Sequence, residues 1–336
     1  MISFFSCRRR MLVSTSVVVA AGLTLSACSN TGYNKTESSA NASQAVSVEN
    51  CGVKVSLSAP AHRLVSVEQG TTETLLAFDA QKDIVGVGHT KDHYWKRYED
   101  RAKNLPVISD SVPNAEAIRG VDPDLVLSPF ASVWTESGSG TREEYSKLGV
   151  GTFTTNVECA KPEEDPYMVL ERDYEQLGVL LGKESRAKEL IEEQRAAVKA
   201  AKDANVNSHK SVGYLYSIFD NAPYVAGNYG IPSAISAATG STNVFAGIEE
   251  AWPQISWEAF ADADPDVIVL VDLPGRGSPG DLATEKIAAL KSNPATRNMK
   301  AVQGEKFIVV PGAGLSPGAR SIEPLEIVGK KLAEMK

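Results

Sequence analysis

Histidine and cysteine are scarce in this chain, four of each in 336 residues. The cysteines that would survive in a mature exported chain, Cys51 and Cys159, have no neighbouring histidine or second cysteine, which makes a poor metal site. No histidine follows His209, so a serine late in the chain would lack a downstream base. Basic runs are absent beyond the first ten residues and the formal net charge is −8, which argues against nucleic acid as a partner. The apolar stretch from Met11 to Leu25 falls short of the about 20 residues that a membrane span requires.

That short stretch has another use. Arg8, Arg9 and Arg10 precede it, and Leu25-Ser26-Ala27-Cys28 closes it, the layout of a secretory signal over residues 1–27. The closing tetrapeptide resembles a bacterial lipobox, which implies that Cys28 carries lipid and anchors the chain on the extracellular face of the cytoplasmic membrane. Plain secretion with Cys28 as a spare thiol is the alternative, and Sec and twin-arginine export both stay open. With Cys7 removed and Cys28 acylated, Cys51 and Cys159 remain as a pair in an oxidising compartment, and a disulfide is expected. Residues 28–50, rich in Ser, Asn, Thr and Ala without apolar periodicity, read as a flexible tether.

The folded body contains one unit twice. Asn114-Ala-Glu-Ala-Ile leads to Asp122-Pro-Asp and an apolar run, and Ser256-Trp-Glu-Ala-Phe leads to Asp264-Pro-Asp and another. The same offset separates Glu116 from Glu258 and Asp124 from Asp266. Each unit reads as a helical turn feeding a strand buried on both faces. Apolar strands alternating with helices predict an α/β fold of two lobes, each a mainly parallel sheet flanked by helices. The lobes are placed at 51–162 and 206–336. Between them, 163–205 reads as helical, with a long amphipathic spine that shows Ala187, Leu190, Ile191, Gln194, Ala197 and Val198 on one side.

Three motifs invite other readings. Gly314-Leu-Ser-Pro-Gly318 fits the hydrolase nucleophile elbow, but Pro317 removes the backbone N–H that the elbow's oxyanion hole needs. Gly275-Arg-Gly-Ser-Pro-Gly280 fits a dinucleotide loop, yet the next strand ends in Pro311-Gly312 and not in an acid. This loop is either an anion site served by Arg276 or a surface turn. His89 and His93 stand at i, i+4 in a segment that reads as loop, so a polar loop role is preferred to metal ligation.

The stretches Arg63-Leu-Val-Ser-Val, Thr72-Glu-Thr-Leu-Leu-Ala-Phe-Asp79, Asp122-Pro-Asp-Leu-Val-Leu and Trp252-Pro-Gln-Ile-Ser-Trp-Glu258, with the spine helix, resemble the iron-chelate and cobalamin class of ABC-importer substrate-binding proteins over roughly residues 51–336. The resemblance implies a binding cycle without catalysis and no resident cofactor, the ligand itself carrying Fe3+ or haem. It also implies that Glu116 and Glu258 dock an ABC permease dimer. The ligand is then a small-molecule metal chelate or large cofactor held between the lobes, with a ferric siderophore favoured. Haem, cobalamin and a deazaflavin-coenzyme precursor stay open, as does a surface lipoprotein with an adhesion or signalling role. Trp252 is the foremost contact by motif. Further candidates are Glu68, His89, Tyr94, Trp95, Asp110, Phe130 and Trp134 from the first lobe, and Tyr216, Phe219, Tyr224, Asp272, Arg276 and Arg320 from the second. Aromatics with arginine suit a large, partly apolar, anionic chelate.

Overall fold

The structure, a computed structural model, describes residues 44–206 and 209–335. The arginine cluster, the apolar leader and Cys28 lie outside the described residues. The first described element departs from expectation: β1 (Val46–Asn50), in the stretch read as tether, pairs antiparallel with β2 (Val53–Leu57). Its alternating burial shows why composition misled, because a two-stranded ribbon needs only one apolar side. The Asn50 amide fastens the ribbon, donating to the Thr154 carbonyl (2.8 Å) while its own oxygen accepts from the Thr154 N–H (2.9 Å).

The first sheet is built from β3 (Leu64–Ser66), α1 (Gln69–Ala77), β4 (Ile84–Gly88), α2 (Glu99–Ala102), β5 (Val107–Ser109), α3 (Ala115–Arg119), β6 (Leu125–Ser128), α4 (Arg142–Lys147) and β7 (Gly151–Thr154). All its strands are parallel, in the order β5-β4-β3-β6-β7. Two helices follow, α5 (Pro166–Leu181) and α6 (Glu184–Ala204). The second sheet comes from β8 (Ser211–Phe219), β9 (Ala222–Val225), α7 (Ile231–Thr239), β10 (Thr242–Asn243), α8 (Trp257–Ala263), β11 (Val267–Asp272), α9 (Ala283–Ser292), α10 (Lys300–Gln303) and β12 (Phe307–Pro311), and α11 (Ile322–Glu334) closes the chain. Its order is β10-β8-β11-β12, parallel, with β9 added antiparallel on β8.

Both duplicated strands occupy the interior of their sheets, β6 between β3 and β7 and β11 between β8 and β12. Each is buried on two faces, as continuous apolar runs require. Val267, Val269 and Val271 face a core shared with the helices, whereas Ile268 and Leu270 face a separate cluster under α8 and α10. In the first sheet, Leu125 and Leu127 face the shared core and Val126 a smaller cluster with Ile118 and Tyr145. The helices that precede them are capped alike, Asn114 accepting from the Ala117 N–H (2.9 Å) and Ser256 from the Ala259 N–H (3.1 Å).

α5 begins with Asp165 capping and Pro166 in the first turn, and stops at Gly182, whose φ of 63° is left-handed. α6 is the spine. Near its start Arg186 Nε donates to the Ala77 carbonyl at the end of α1 (2.8 Å). Just past its end Asn205 Nδ2 donates to the Gly329 carbonyl in α11 (2.9 Å). A rise of about 1.5 Å per residue makes a helix of this length a rigid strut of roughly 30 Å. Ala187, Leu190, Ile191 and Gln194 are buried along it, the stripe read from the sequence, while Ala197 and Val198 are only partly covered.

Candidate functional site

The lobes meet along a polar seam that sequence spacing did not disclose. Glu68 caps α1, accepting from the Gly70 N–H (2.6 Å), and its other oxygen is 2.7 Å from Lys91 Nζ. Lys91 also donates to Ser316 Oγ of the second lobe (2.7 Å), and Ser316 donates in turn to Glu68 (3.3 Å). Burial pulls the Lys91 ammonium down, but the adjacent Glu68 carboxylate more than offsets it and the pKa ends above the ordinary lysine value. A few residues along, Arg320 of the second lobe reaches Glu73 (3.1 Å), Glu323 (2.6 Å), Asp92 (3.5 Å) and the His93 carbonyl (2.7 Å). One cation thus faces three carboxylates. Burial raises the Glu73 pKa to about 7 against the pull of Arg320, and Glu73 Oε2 has no hydrogen-bond partner.

Glycine permits this close approach. A Cβ on Gly70 would stand 2.8 Å from the Ser316 Cβ, and one on Gly275 would stand 2.5 Å from the Lys91 carbonyl carbon. The two decoy motifs therefore have structural explanations. The Gly314–Gly318 segment is a lobe-docking turn whose serine is held by Lys91 and Glu68. The Gly275–Gly280 loop bonds back on the Lys91 carbonyl through the Gly275 N–H (2.9 Å), and carboxylates of its own lobe take other N–H groups of the loop. Glu285 accepts from Gly280 (2.8 Å) and Asp281 from Ser278 (3.3 Å), so an incoming anion would meet negative charge there.

Beside the seam lies a cavity of ≈ 170 Å³ at the carboxyl ends of the strands. Lys91, Phe130, Val157 and Glu158 line it from the first lobe. Tyr216, the Tyr229–Pro232 segment, Ala251, Trp252, Gly312 and the Leu315–Pro317 turn line it from the second. Tyr216 sits where the pairing of β8 with β9 slips between Leu215 and Ser217, a bulge of the kind that re-aims a side chain. Trp252 is positioned by backbone bonds beside β9: the Val225 N–H donates to the Pro253 carbonyl (3.0 Å) and the Gly227 N–H to the Ala251 carbonyl (3.0 Å). The Tyr216 and Trp252 rings lie 4.5 Å apart at 38°. Arg276 covers Tyr216 at 5.6 Å, and Lys91 Nζ lies 5.6 Å from the Phe130 ring.

Glu158 and Val157 come from a 3₁₀ turn, Asn156–Cys159. The disulfide between Cys51 and Cys159 ties its end to the β1–β2 ribbon. Its start is held by Asp173, which accepts from the Asn156 N–H (2.8 Å) and side-chain amide (2.6 Å); burial raises the Asp173 pKa to about 7.

Of the residues nominated from sequence, Phe130, Tyr216 and Trp252 meet at this cavity, and Arg276 stands at its edge over Tyr216. The others do different work. Glu68 and Arg320 are consumed by the seam. Trp95 is a core residue packed edge-on against Tyr98, with Arg97 stacked on it. Trp134 donates to Thr154 Oγ1 (2.6 Å) and packs on Tyr145 inside the first lobe. Asp272 accepts from the Ala283 N–H (2.6 Å) and so starts α9. Phe219 and Tyr224 pack together on the β8–β9 hairpin, with Phe219 exposed, and Asp110 is a surface residue. Tyr94 lies with His93 along a separate surface groove. His89 holds a left-handed φ of 46°, and burial lowers its pKa. Among the described residues no group of three or more His, Cys, Asp or Glu is placed to hold a metal ion.

Sequence reasoning did not single out Glu158, Tyr229 or Ser316 for the cleft, and reached Lys91 only as a member of the His89–Trp95 loop. Glu158 and Tyr229 sit outside any motif, and Ser316 sits inside one that pointed to hydrolysis. Only folding brings the four together.

A two-lobed α/β body on a helical strut, with its cleft at the strand ends, can be compared with known proteins. The family described as periplasmic binding protein matches residues 64–313. The chain belongs to the periplasmic binding protein family. This family member is 28% identical over 223 residues to a cobalamin-binding protein of Halobacterium salinarum, an alignment covering 64% of this chain and 55% of that one. The match thus spans little more than half the length of that relative. Among solved structures, a periplasmic binding protein from Veillonella parvula superposes with a TM-score of 0.75 at 22% identity, covering 87% of this chain and 98% of that one. An ABC-type Fe3+-hydroxamate transport system structure from Saccharomonospora viridis gives 0.70 at 22%, covering 85% and 98%. Identities this low carry the fold and not the cargo.

Proposed function

We propose that this periplasmic binding protein captures a metal chelate or a comparably large cofactor outside the cytoplasm and delivers it to an ABC permease, with a ferric siderophore as the favoured cargo. The observation that carries the reading is the aromatic cavity between lobes that a buried seam and a helical strut hold in one orientation. Ligand sites commonly span roughly 300–1,000 Å³, so this cavity takes the inner part of a large ligand while the rest spreads towards the cleft mouth. The tilted pair Tyr216 and Trp252 suits a flat or bulky apolar surface. The family match supports capture of a ligand outside the cytoplasm, the hydroxamate-system structure shares the fold alone, and the cobalamin-binding relative supports cobalamin as the second reading. Catalysis has no place in it: Lys91, the group bonded to the elbow-like serine, is held protonated by Glu68 and cannot act as its base.

Delivery rests on Glu116 and Glu258. Each is exposed in the first turn of a helix capped in the same way, one per lobe, so together they address a two-fold partner. Exposed ion pairs contribute little energy each and set register more than affinity. Lipid on Cys28 would hold the protein at the outer face of the membrane.

The test is a titration of the purified, tag-free mature chain, followed by absorbance and tryptophan fluorescence, with ferric hydroxamates, ferric catecholates, haem, cobalamin and deazaflavins. Saturable binding of a chelate, weakened roughly ten-fold or more by Trp252→Ala, is the expected result. Binding of none of these ligands would overturn the reading.

A further inference from the structure

The charges around the cavity are not equivalent. Lys91, the cation in its wall, is already neutralised by Glu68 at 2.7 Å, and Arg276 at the edge is 3.5 Å from Asp281. Glu158 has no ion-pair partner among the described residues. One of its oxygens, Oε2, accepts from the Ala131 N–H (3.0 Å), next to Phe130, and the carboxylate is otherwise open to the cleft. Partial burial in the cavity wall raises its pKa above the ordinary glutamate value, against the pull of the Ala131 hydrogen bond. The turn that presents it is held at one end by the Cys51–Cys159 disulfide and at the other by the Asn156–Asp173 bonds, which keeps its backbone at the cavity wall.

We propose that Glu158 sets the charge preference of the cleft, admitting chelates that present a cationic or hydrogen-bond-donating group beside an apolar face and rejecting polyanionic ones. This rests on the chelate-binding reading and narrows it, because aromatics with arginine alone suggested an anionic ligand. The arginines do not bear that out: Arg320 is locked in the seam and Arg276 already faces a carboxylate. An incoming donor would instead complete Glu158 with a charge-assisted hydrogen bond, strengthened where the bound ligand excludes water. A polyanion would have to shed its hydration opposite an unpaired carboxylate.

Three ferric chelates test this with the wild-type chain and Glu158→Gln: a hydroxamate bearing a free ammonium, a neutral hydroxamate, and a tris-catecholate trianion. The substitution removes the charge but keeps an oxygen able to accept from the Ala131 N–H, and an unchanged melting temperature verifies that the turn is intact. The expected order for wild type is cationic, then neutral, then anionic. Glu158→Gln should cut affinity for the ammonium-bearing chelate roughly ten-fold or more while leaving the neutral one within about two-fold and improving the trianion. Preferential binding of the trianion by wild type, or unchanged relative affinities in Glu158→Gln, would overturn the inference while leaving chelate binding intact. Failure of all three chelates, with cobalamin or another ligand bound instead, would overturn the chelate reading itself and this inference with it.

Discussion

The seam and the cavity lie side by side between the same two lobes, yet they use charge in opposite ways. In the seam the charged side chains are largely buried and matched, within a lobe or across to the other: Glu68 with Lys91 and Ser316, and Arg320 with Glu73, Asp92 and Glu323. In the cavity the aromatic rings are partly open, and Glu158 is left without a counter-ion among the described residues. Buried pairs contribute little net stability when intact but cost much when one partner is lost. The seam therefore fixes the lobes, and the cavity keeps its polar capacity for something else.

The largest expected effect comes from breaking the seam on one side. Arg320→Met should lower the unfolding free energy by about 3–5 kcal/mol, read by chemical denaturation, because Glu73 and Asp92 stay buried without their cation. Adding Glu73→Gln should restore part of that loss. A loss under about 1 kcal/mol would show that the seam does not lock the lobes.

The pH dependence of the seam is the next largest effect. Glu73 titrates at about 7 in the folded chain against 4.5 as its ordinary value, so the fold holds the proton more tightly than the unfolded chain does. The stabilisation is complete below pH 4.5, is lost as pH rises through 7, and is flat above. Linkage sets its size at about 3 kcal/mol. Asp173, raised from 3.8 to about 7 by burial, acts in the same direction. Unfolding free energy measured between about pH 5 and 8 should fall with rising pH, and more shallowly in Glu73→Gln. A slope identical in that variant would remove Glu73 from the account.

The smallest effect on the folded chain should come from the outer surface. Charge reversal at both Glu116 and Glu258 should change stability by about 0.5 kcal/mol or less and leave ligand affinity unaltered, since both side chains are exposed. In cells it should abolish uptake of the cargo. Uptake at the wild-type rate would end their assignment to docking.

How much could be read in advance follows from the range of each interaction. The alternation of strands and helices, the stop at Gly182, the buried stripe of α6 and the twice-used strand unit are consequences of local periodicity, and they are legible because a helix or strand repeats its geometry every few residues. The Cys51–Cys159 bond followed from counting thiols in an oxidising compartment. Trp252 was nominated by the resemblance of its motif, and Tyr216 and Phe130 as aromatics on cleft segments; all three line the cavity, whereas Trp95 and Trp134, nominated beside them, pack within the first lobe. The ribbon strand β1 was missed because a short alternating segment is indistinguishable from a polar tether until its partner is known.

Most of the polar candidates lie in other contacts than the cavity wall, and for one reason. A charged side chain in sequence carries no sign of whether another charge will reach it, and here the partners come from far along the chain or across a tight loop: Ser316 to Lys91, Arg320 to Glu73, Asp281 to Arg276. Desolvation makes those pairings decisive, because a buried charge must find a partner and is then unavailable to a ligand. The sequence by itself determined two α/β lobes, their spine and the aromatic stock of the cleft. Only tertiary structure decided that Arg320 locks the lobes while Glu158 stays open to the cleft, because that choice depends on which distant segments approach within hydrogen-bond range.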